Sequence, residues 1–177
     1  MADIEVITTD EAPADLLGEI RRLLLAAFAG HFADEDWQHA LGGWHVVVSE
    51  GGTVLSHAAV VPRILHVGEQ PFRTGYVEGV ATAATRGREG LGSLAVAQIG
   101  EVVRREFELG ALSTGRHTFY GRLGWERWLG PTFARSGTEA IRTEEDDDSV
   151  MVLRFGPSAV VDLGAPLSCP ARPGDDW

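Results

Sequence analysis

Lysine is missing from this 177-residue chain: all fifteen basic residues are arginine. Neither a P-loop lysine nor a Schiff-base lysine can therefore exist in it. Cysteine is almost missing as well. The single thiol, Cys169, excludes an intrachain disulfide and a cysteine-rich metal site, so no metal is expected, and the thiol reads as inert. No run approaches the roughly 18 consecutive apolar residues of a membrane span, and the N-terminal MADIEVITTDEAPADLL lacks the basic-then-apolar order of a secretion signal. A soluble, cytoplasmic protein is the expectation. Positive charge is scarce too, with 26 acidic residues against 15 basic and a formal net charge of −11. Such a field repels nucleic acid and anionic membranes and draws cations to the surface. The acid gathers at Asp34-Glu35-Asp36, at Glu144-Glu145-Asp146-Asp147-Asp148 and at Asp175-Asp176; each cluster taken alone reads equally well as a solvated turn.

Periodicity supplies the elements. Residues 4–10 alternate as an edge strand, and Leu16, Leu17, Ile20, Leu23, Leu24, Ala27 and Phe28 recur at helical spacing over 15–29. A short second helix is expected over 34–41. WHVVVSE, the turn Gly51-Gly52 and TVLSHAAVVPRILHV read as a hairpin, with Pro62 marking a bulge or bend. FRTGYVEGVATA is a third strand, in which Gly79 marks a bulge or a close backbone approach. Then come a helix carrying Leu91, Ala95, Ile99, Val102 and Val103, a buried strand GALST, a short helix RHTFYGRLG closed by Gly124, the start of a strand at WERWLG, and a last strand SVMVLRF. From Pro157 onward a Pro- and Gly-rich tail is expected to lie over the surface. The order predicts one α/β domain over 1–156, with a mixed sheet, followed by a tail over 157–177.

Between the third strand and its helix stands RGREGLG, at 86–92. Gly87 and Gly92 have Walker A spacing, but Ser93 and Leu94 occupy the places of the Lys and Ser/Thr, which excludes a P-loop. Residues 90–95 satisfy G-x-G-x-x-A, yet no acid stands near 113–115 to take a ribose, and a meander precedes the loop. What survives is general physics: free N–H groups at a helix N-terminus, uncrowded by side chains, suit a pyrophosphate. Coenzyme A carries one; a glycine-rich helix entry with no ligand is the other reading.

YVEGVATA, RGREGLG, the buried strand and FYGRLGW together resemble the GCN5-related N-acetyltransferases over 75–125. The family's first loop position, usually Arg or Gln, is Gly87 here. AAFAGHFADEDWQHALGGWH, GYVEGVA, LGALST, WLGPT, the acidic run before VMVL and the terminal RPGDDW resemble more closely the aminoglycoside 2′-N-acetyltransferases, over nearly the whole chain. His31 stands where that resemblance has an aspartate.

The resemblance implies the family's fold, a mixed and mostly antiparallel sheet flanked by helices with splayed central strands. It also implies acetyl-CoA as donor, bound by backbone groups of Val80, Ala81 and Thr82 as a strand is added to a sheet edge. The loop Gly87, Arg88, Glu89, Gly90, Leu91 and Gly92 would hold the pyrophosphate. Glu78 is implied as the base that takes a proton from the amine through water, or as a carboxylate that pairs with an ammonium; Tyr120 is implied as the acid that protonates the thiolate, or as a core anchor with its hydroxyl at the rim. An aminoglycoside, as a polycation, would be held by Asp36, Glu145, Asp146, Asp175 and the Trp177 carboxylate, with His31, Ser113 and the Gly79 carbonyl beside them. Drug resistance and a homodimer are implied likewise. Two other readings stay open: acetylation of an endogenous cationic metabolite, and a non-catalytic binder of acyl-CoA or cationic drugs.

Overall fold

Over residues 2–177, which the computed structural model describes, the periodic segments become ten strands and four α-helices. They belong to two compact units, Met1–Val61 with Val77–Val102, and Pro62–Tyr76 with Val103–Trp177. The long hairpin of β3 (Thr53–Val67) and β4 (Gln70–Thr82) contributes one half to each.

In the first unit β1 (Asp3–Thr8) runs antiparallel to β2 (Trp44–Glu50), from Asp3↔Ser49 to Thr8↔Trp44. β2 turns through Gly51-Gly52 into β3, and β4 returns beside β3. The amphipathic spacing of α1 (Ala14–Ala27) turns Ile20, Leu23 and Leu24 inward. They pack with Trp37 of α2 (Asp34–His39) and with Val47, Val54, Ala59 and Ala81 of the strands. Each large side chain buried this way contributes about 1.5–3 kcal/mol. α3 (Leu91–Glu106) begins in this unit and buries Leu91, Ala95, Val96, Ile99 and Val102 on one stripe.

The second unit holds β5 (Leu109–Ser113), α4 (His117–Gly121), β6 (Glu126–Arg127), β7 (Thr132–Ser136), β8 (Glu139–Arg142), β9 (Val150–Arg154) and β10 (Leu167–Pro170). With the inner halves of β3 and β4 they form a sheet in the order β6-β9-β5-β4-β3-β10-β7-β8. Among the described residues only the β4–β5 and β10–β7 pairs are parallel there. The fold is thus mixed α/β with a mostly antiparallel sheet, as the resemblance implied. Pairing of β4 with β5 ends at Tyr76↔Ala111, whereas β4 runs on to Thr82.

Two expectations are corrected. The segment after Pro157 does not lie over the surface throughout: β10 inserts between β3 and β7, burying Leu167, Ser168 and Cys169, so VMVLR is not the last strand. All four residues pair with β7 and the first two, Leu167 and Ser168, also pair with β3, while Pro170 is the strand's last residue, where a missing N–H costs least. The register shift expected at Pro62 falls instead between Val48 and Ser49 of β2. Pro62 sits where β3 has left β2, whose pairing stops at Val60, and has not yet met β10, whose pairing starts at His66, so its missing N–H costs no ladder bond there. Among the described residues no helix is long and apolar enough to cross a membrane.

Candidate active site

The glycine loop is shaped by two backbone departures and two ion pairs of one arginine. Arg88 has φ +69° and Gly90 has φ +83°, a region open to glycine at no cost. The first helical bond of α3 runs from Leu94 N–H to Gly90 O at 3.0 Å. The N–H groups of Leu91, Gly92 and Ser93 therefore precede any intrahelical acceptor. Arg86 fixes the approach: its Nε donates to both Glu89 carboxylate oxygens at 2.8 and 2.9 Å, and its guanidinium reaches Glu50 at the end of β2 at 2.9 Å. Glu89 thus braces the loop from within, while Gly87 and Arg88 are exposed at its tip.

Along β4 the backbone alternates in its partners. Gly79 O accepts from His57 Nδ1 at 2.7 Å, Ala81 O accepts from the Ser56 hydroxyl at 2.9 Å, and Ala83 N–H donates to Leu55 O at 2.8 Å. All three partners lie on β3, so the intervening Val80 and Thr82 turn their backbone groups the opposite way, toward the edge that β5 does not pair. The Thr82 hydroxyl itself meets Ser56 Oγ at 2.8 Å. Gly79 has φ +57°, and a Cβ there would stand 3.4–3.6 Å from Leu24, Ala40 and His57. Gly79, where a bulge or a close backbone approach was expected, is a left-handed residue set against packed side chains. Glu78, directly before it, is half-buried.

Behind Gly79 lies a feature that the sequence reading missed. His57 Nε2 meets His45 Nδ1 at 2.9 Å, and His45 Nε2 meets Thr9 Oγ1 at 2.8 Å. Both imidazoles are inaccessible to solvent. Burial pushes both well below the ordinary histidine range, and the neighbouring His45 lowers His57 further. The only signal was two histidines on adjacent strands of one hairpin, inside apolar runs.

In the second unit, Tyr120 on α4 is buried and held edge-on against Phe119 (4.9 Å) and Trp125 (6.4 Å). Burial pushes its phenol up to about 12, against a small opposing pull from Arg116, so it carries its proton at neutral pH. The Ser113 hydroxyl, at the end of β5, donates to Ser149 at 2.9 Å.

The acidic run divides into two kinds of residue. Asp147 is structural: Arg142 and the Thr132 N–H and hydroxyl hold its carboxylate, mainly through the Arg142 bond, at about 2. Asp146 is pushed up to about 6 by burial first, then by Asp175, Glu145, Asp176 and Asp147. The chain end is ordered. Trp177 is buried with its indole N–H on Thr143 Oγ1 at 3.0 Å, while the Arg172 N–H donates to Asp176 at 2.9 Å and the Arg172 Nε donates to Asp175 O at 2.7 Å. Arg63 and Arg172 stand over the Tyr76 ring, 4.6 and 5.4 Å from its centroid, and Arg63 also bonds Pro170 O. Cys169 is buried, donates to Asp176 O and is pushed up to about 11, chiefly by burial, so its thiolate is scarce. The structure thus gathers Glu145, Asp146, Asp175 and the Trp177 end within the second unit; sequence reasoning had not singled out Asp176 or Thr143. His31, exposed after α1, and Asp36, which accepts from Ala33 N–H at the start of α2 (2.7 Å), belong to the first unit.

Residues 9–128 match the family model of the acetyltransferase (GNAT) domain. The chain is 40% identical over 162 residues to an aminoglycoside 2′-N-acetyltransferase of Mycolicibacterium fortuitum, covering 89% of this chain and 83% of that protein. Among solved structures it is similar to the GNAT family N-acetyltransferase YhbS of Escherichia coli, in complex with CoA (TM-score 0.68, 16% identity, 95% of this chain and 89% of that one). It is also similar to a GNAT family acetyltransferase of Brucella melitensis, in complex with acetyl-CoA (TM-score 0.61, 21% identity, 88% and 90%).

Proposed function

The chain belongs to the GNAT acetyltransferases, and from that premise we propose that it transfers acetyl from acetyl-CoA to the 2′-amine of aminoglycosides, by direct attack and without an acyl-enzyme. The observation that carries this reading is the 40% identity to a named aminoglycoside 2′-N-acetyltransferase over most of both chains. The acidic residues 175 and 176, held by Arg172 beside the buried Trp177, support it from the residues themselves.

Acetyl-CoA supplies the acetyl group as a thioester. The loop from Gly87 to Gly92 fits its pyrophosphate, since Gly90 opens the backbone and the first N–H groups of α3 have no other acceptor. Val80 and Thr82 offer edge hydrogen bonds to the pantetheine arm, and the Val80 N–H is an oxyanion donor for the thioester carbonyl. Glu78 takes a proton from the substrate ammonium through a water, freeing the lone pair. The nitrogen then bonds to the acetyl carbon as the carbon–sulfur bond breaks, Tyr120 gives its proton to the departing thiolate, and the second proton, which the nitrogen sheds on becoming an amide, restores the Tyr120 phenol through solvent. Glu145, Asp146, Asp175 and Trp177 hold the remaining part of the drug, the carboxylates taking its ammonium groups, with Asp36, His31 and Ser113 as further partners. N-acetylation removes one of the drug's cationic groups and so would confer resistance; the reaction belongs to the cytoplasm, where acetyl-CoA is available.

The test is acetylation of tobramycin followed by two-dimensional NMR of the product. Acetyl on the 2′-nitrogen is the expected result; acetyl on another nitrogen would refute the regiochemistry, and no product would refute the substrate.

A further inference from the structure

Four polar groups in the first unit form one buried line: Thr9 Oγ1, His45, His57 and the Gly79 carbonyl, with successive contacts of 2.8, 2.9 and 2.7 Å. With both rings neutral the line has only one consistent direction, in which the Thr9 hydroxyl points to His45 at 2.8 Å rather than to Gly43 O at 3.4 Å. A carbonyl oxygen can only accept, so His57 carries its proton on Nδ1 and its Nε2 accepts. His45 then carries its proton on Nδ1, and its Nε2 accepts from the Thr9 hydroxyl. Thr9 Oγ1 in turn accepts from Gly42 N–H at 2.9 Å. Both rings are neutral because burial disfavours their charged forms.

The line ends on a carbonyl oxygen, which can pass on no proton, so it is not a proton wire. It fixes an orientation instead. Gly79 is left-handed at φ +57°, and the peptide plane after it is held by the bond its oxygen accepts from His57 Nδ1 at 2.7 Å. The peptide bonds of the described residues are trans, so the Gly79 C=O and the Val80 N–H point in opposite directions. Drawing that oxygen onto His57 aims the Val80 N–H toward the unpaired edge of β4.

We propose that His57, backed by His45, is a positioning residue that locks the Gly79–Val80 peptide so that the Val80 N–H is preset as the oxyanion donor. This rests on the acetyl-transfer reading above, and His57 acts through the peptide without touching the substrate. A consequence is that Gly79 O, implied by the sequence resemblance as a drug contact, is engaged by the protein itself.

Two amide variants separate orientation from mere packing. The Asn amide nitrogen occupies the place of imidazole Nδ1, whereas the Gln amide nitrogen occupies that of Nε2. His57→Asn keeps a donor for Gly79 O and should retain kcat within about threefold. His57→Gln loses it and should lower kcat at least tenfold with little change in the KM of acetyl-CoA, since removing an oxyanion donor outright typically costs about 100- to 1000-fold. Both variants should melt at similar temperatures, because both disturb the contact with His45. Equal kcat in the two variants would overturn the proposal. A second measurement needs neither variant nor amine substrate: nitrogen-15 NMR of the histidine-labelled wild type at pH 7 should show His57 neutral with its proton on Nδ1. A charged ring, or the Nε2–H tautomer, would overturn the proposal even if aminoglycosides are acetylated. If no aminoglycoside is acetylated, the substrate reading fails while the spectra still decide this one.

Discussion

The buried histidine pair makes the stability of this protein depend on acidity over a range where most proteins change little. In the unfolded chain each imidazole titrates near 6.5, whereas in the folded protein burial lowers His45 to about 4 and His57 to about 3. The folded state therefore binds fewer protons, so its stability is whole above 6.5 and falls as the pH drops toward the folded values. At pH 5 an unfolded imidazole gains about 2 kcal/mol from protonation that the folded one forgoes, which makes about 4 kcal/mol for the pair. Asp146 opposes this: its carboxyl is raised to about 6, so it favours the folded state increasingly as pH falls through that value. Its partial exposure limits that contribution to about 1 kcal/mol. A net loss of about 3 kcal/mol between pH 8 and pH 5 is a large part of the roughly 5–15 kcal/mol of a typical domain, and would move a urea midpoint by roughly 1–2 M. Urea titrations followed by tryptophan fluorescence at pH 8, 6.5 and 5 measure it directly. The double variant His45→Asn/His57→Asn should be less stable at pH 8 yet much flatter with pH. A wild type as stable at pH 5 as at pH 8 would refute the reasoning.

Gly92→Val places a branched side chain beside the free N–H groups at the start of α3 and should weaken acetyl-CoA binding at least tenfold while leaving drug binding nearly unchanged, as calorimetry would show. Tyr120→Phe keeps the edge-on packing with Phe119 and Trp125 and removes only the proton donor, so kcat should fall by about 100-fold or more with the melting temperature nearly unchanged. Asp175→Asn should raise the drug KM about tenfold, since charge-assisted contacts are worth roughly 1.5–3 kcal/mol, and should reduce the rise of that KM with salt; an unchanged KM would remove Asp175 from recognition.

Elements whose pattern is local were legible. The 3.6-residue stripe of α1, the Gly51-Gly52 turn between β2 and β3, and the strand-loop-helix run into α3 need only neighbours in sequence. Elements defined by distant partners were not. β10 pairs with both β3 and β7, whose residues lie about a hundred and about 35 positions earlier in the chain, and its Pro-rich surroundings read as a tail. β7 and β8 were missed because TFARS and EAIR are short and largely polar or exposed. At the site, the left-handed Gly79 and the glycine loop before α3 were legible from local composition, whereas Glu78 was singled out through the resemblance. The division of Asp146 from Asp147 depends on Arg142 and Thr132 reaching only one of two adjacent carboxylates, which no spacing rule expresses. The histidine line was hidden because each ring sits in a strand that reads as ordinary core.

Thiol release from acetyl-CoA with two drugs that differ at the reacting position tests the central proposal most directly. Kanamycin B carries an amine at the 2′-carbon and kanamycin A a hydroxyl. Catalytic release of coenzyme A is expected with kanamycin B, and release no faster than background hydrolysis with kanamycin A. Comparable rates with both drugs, or no release with either, would contradict it.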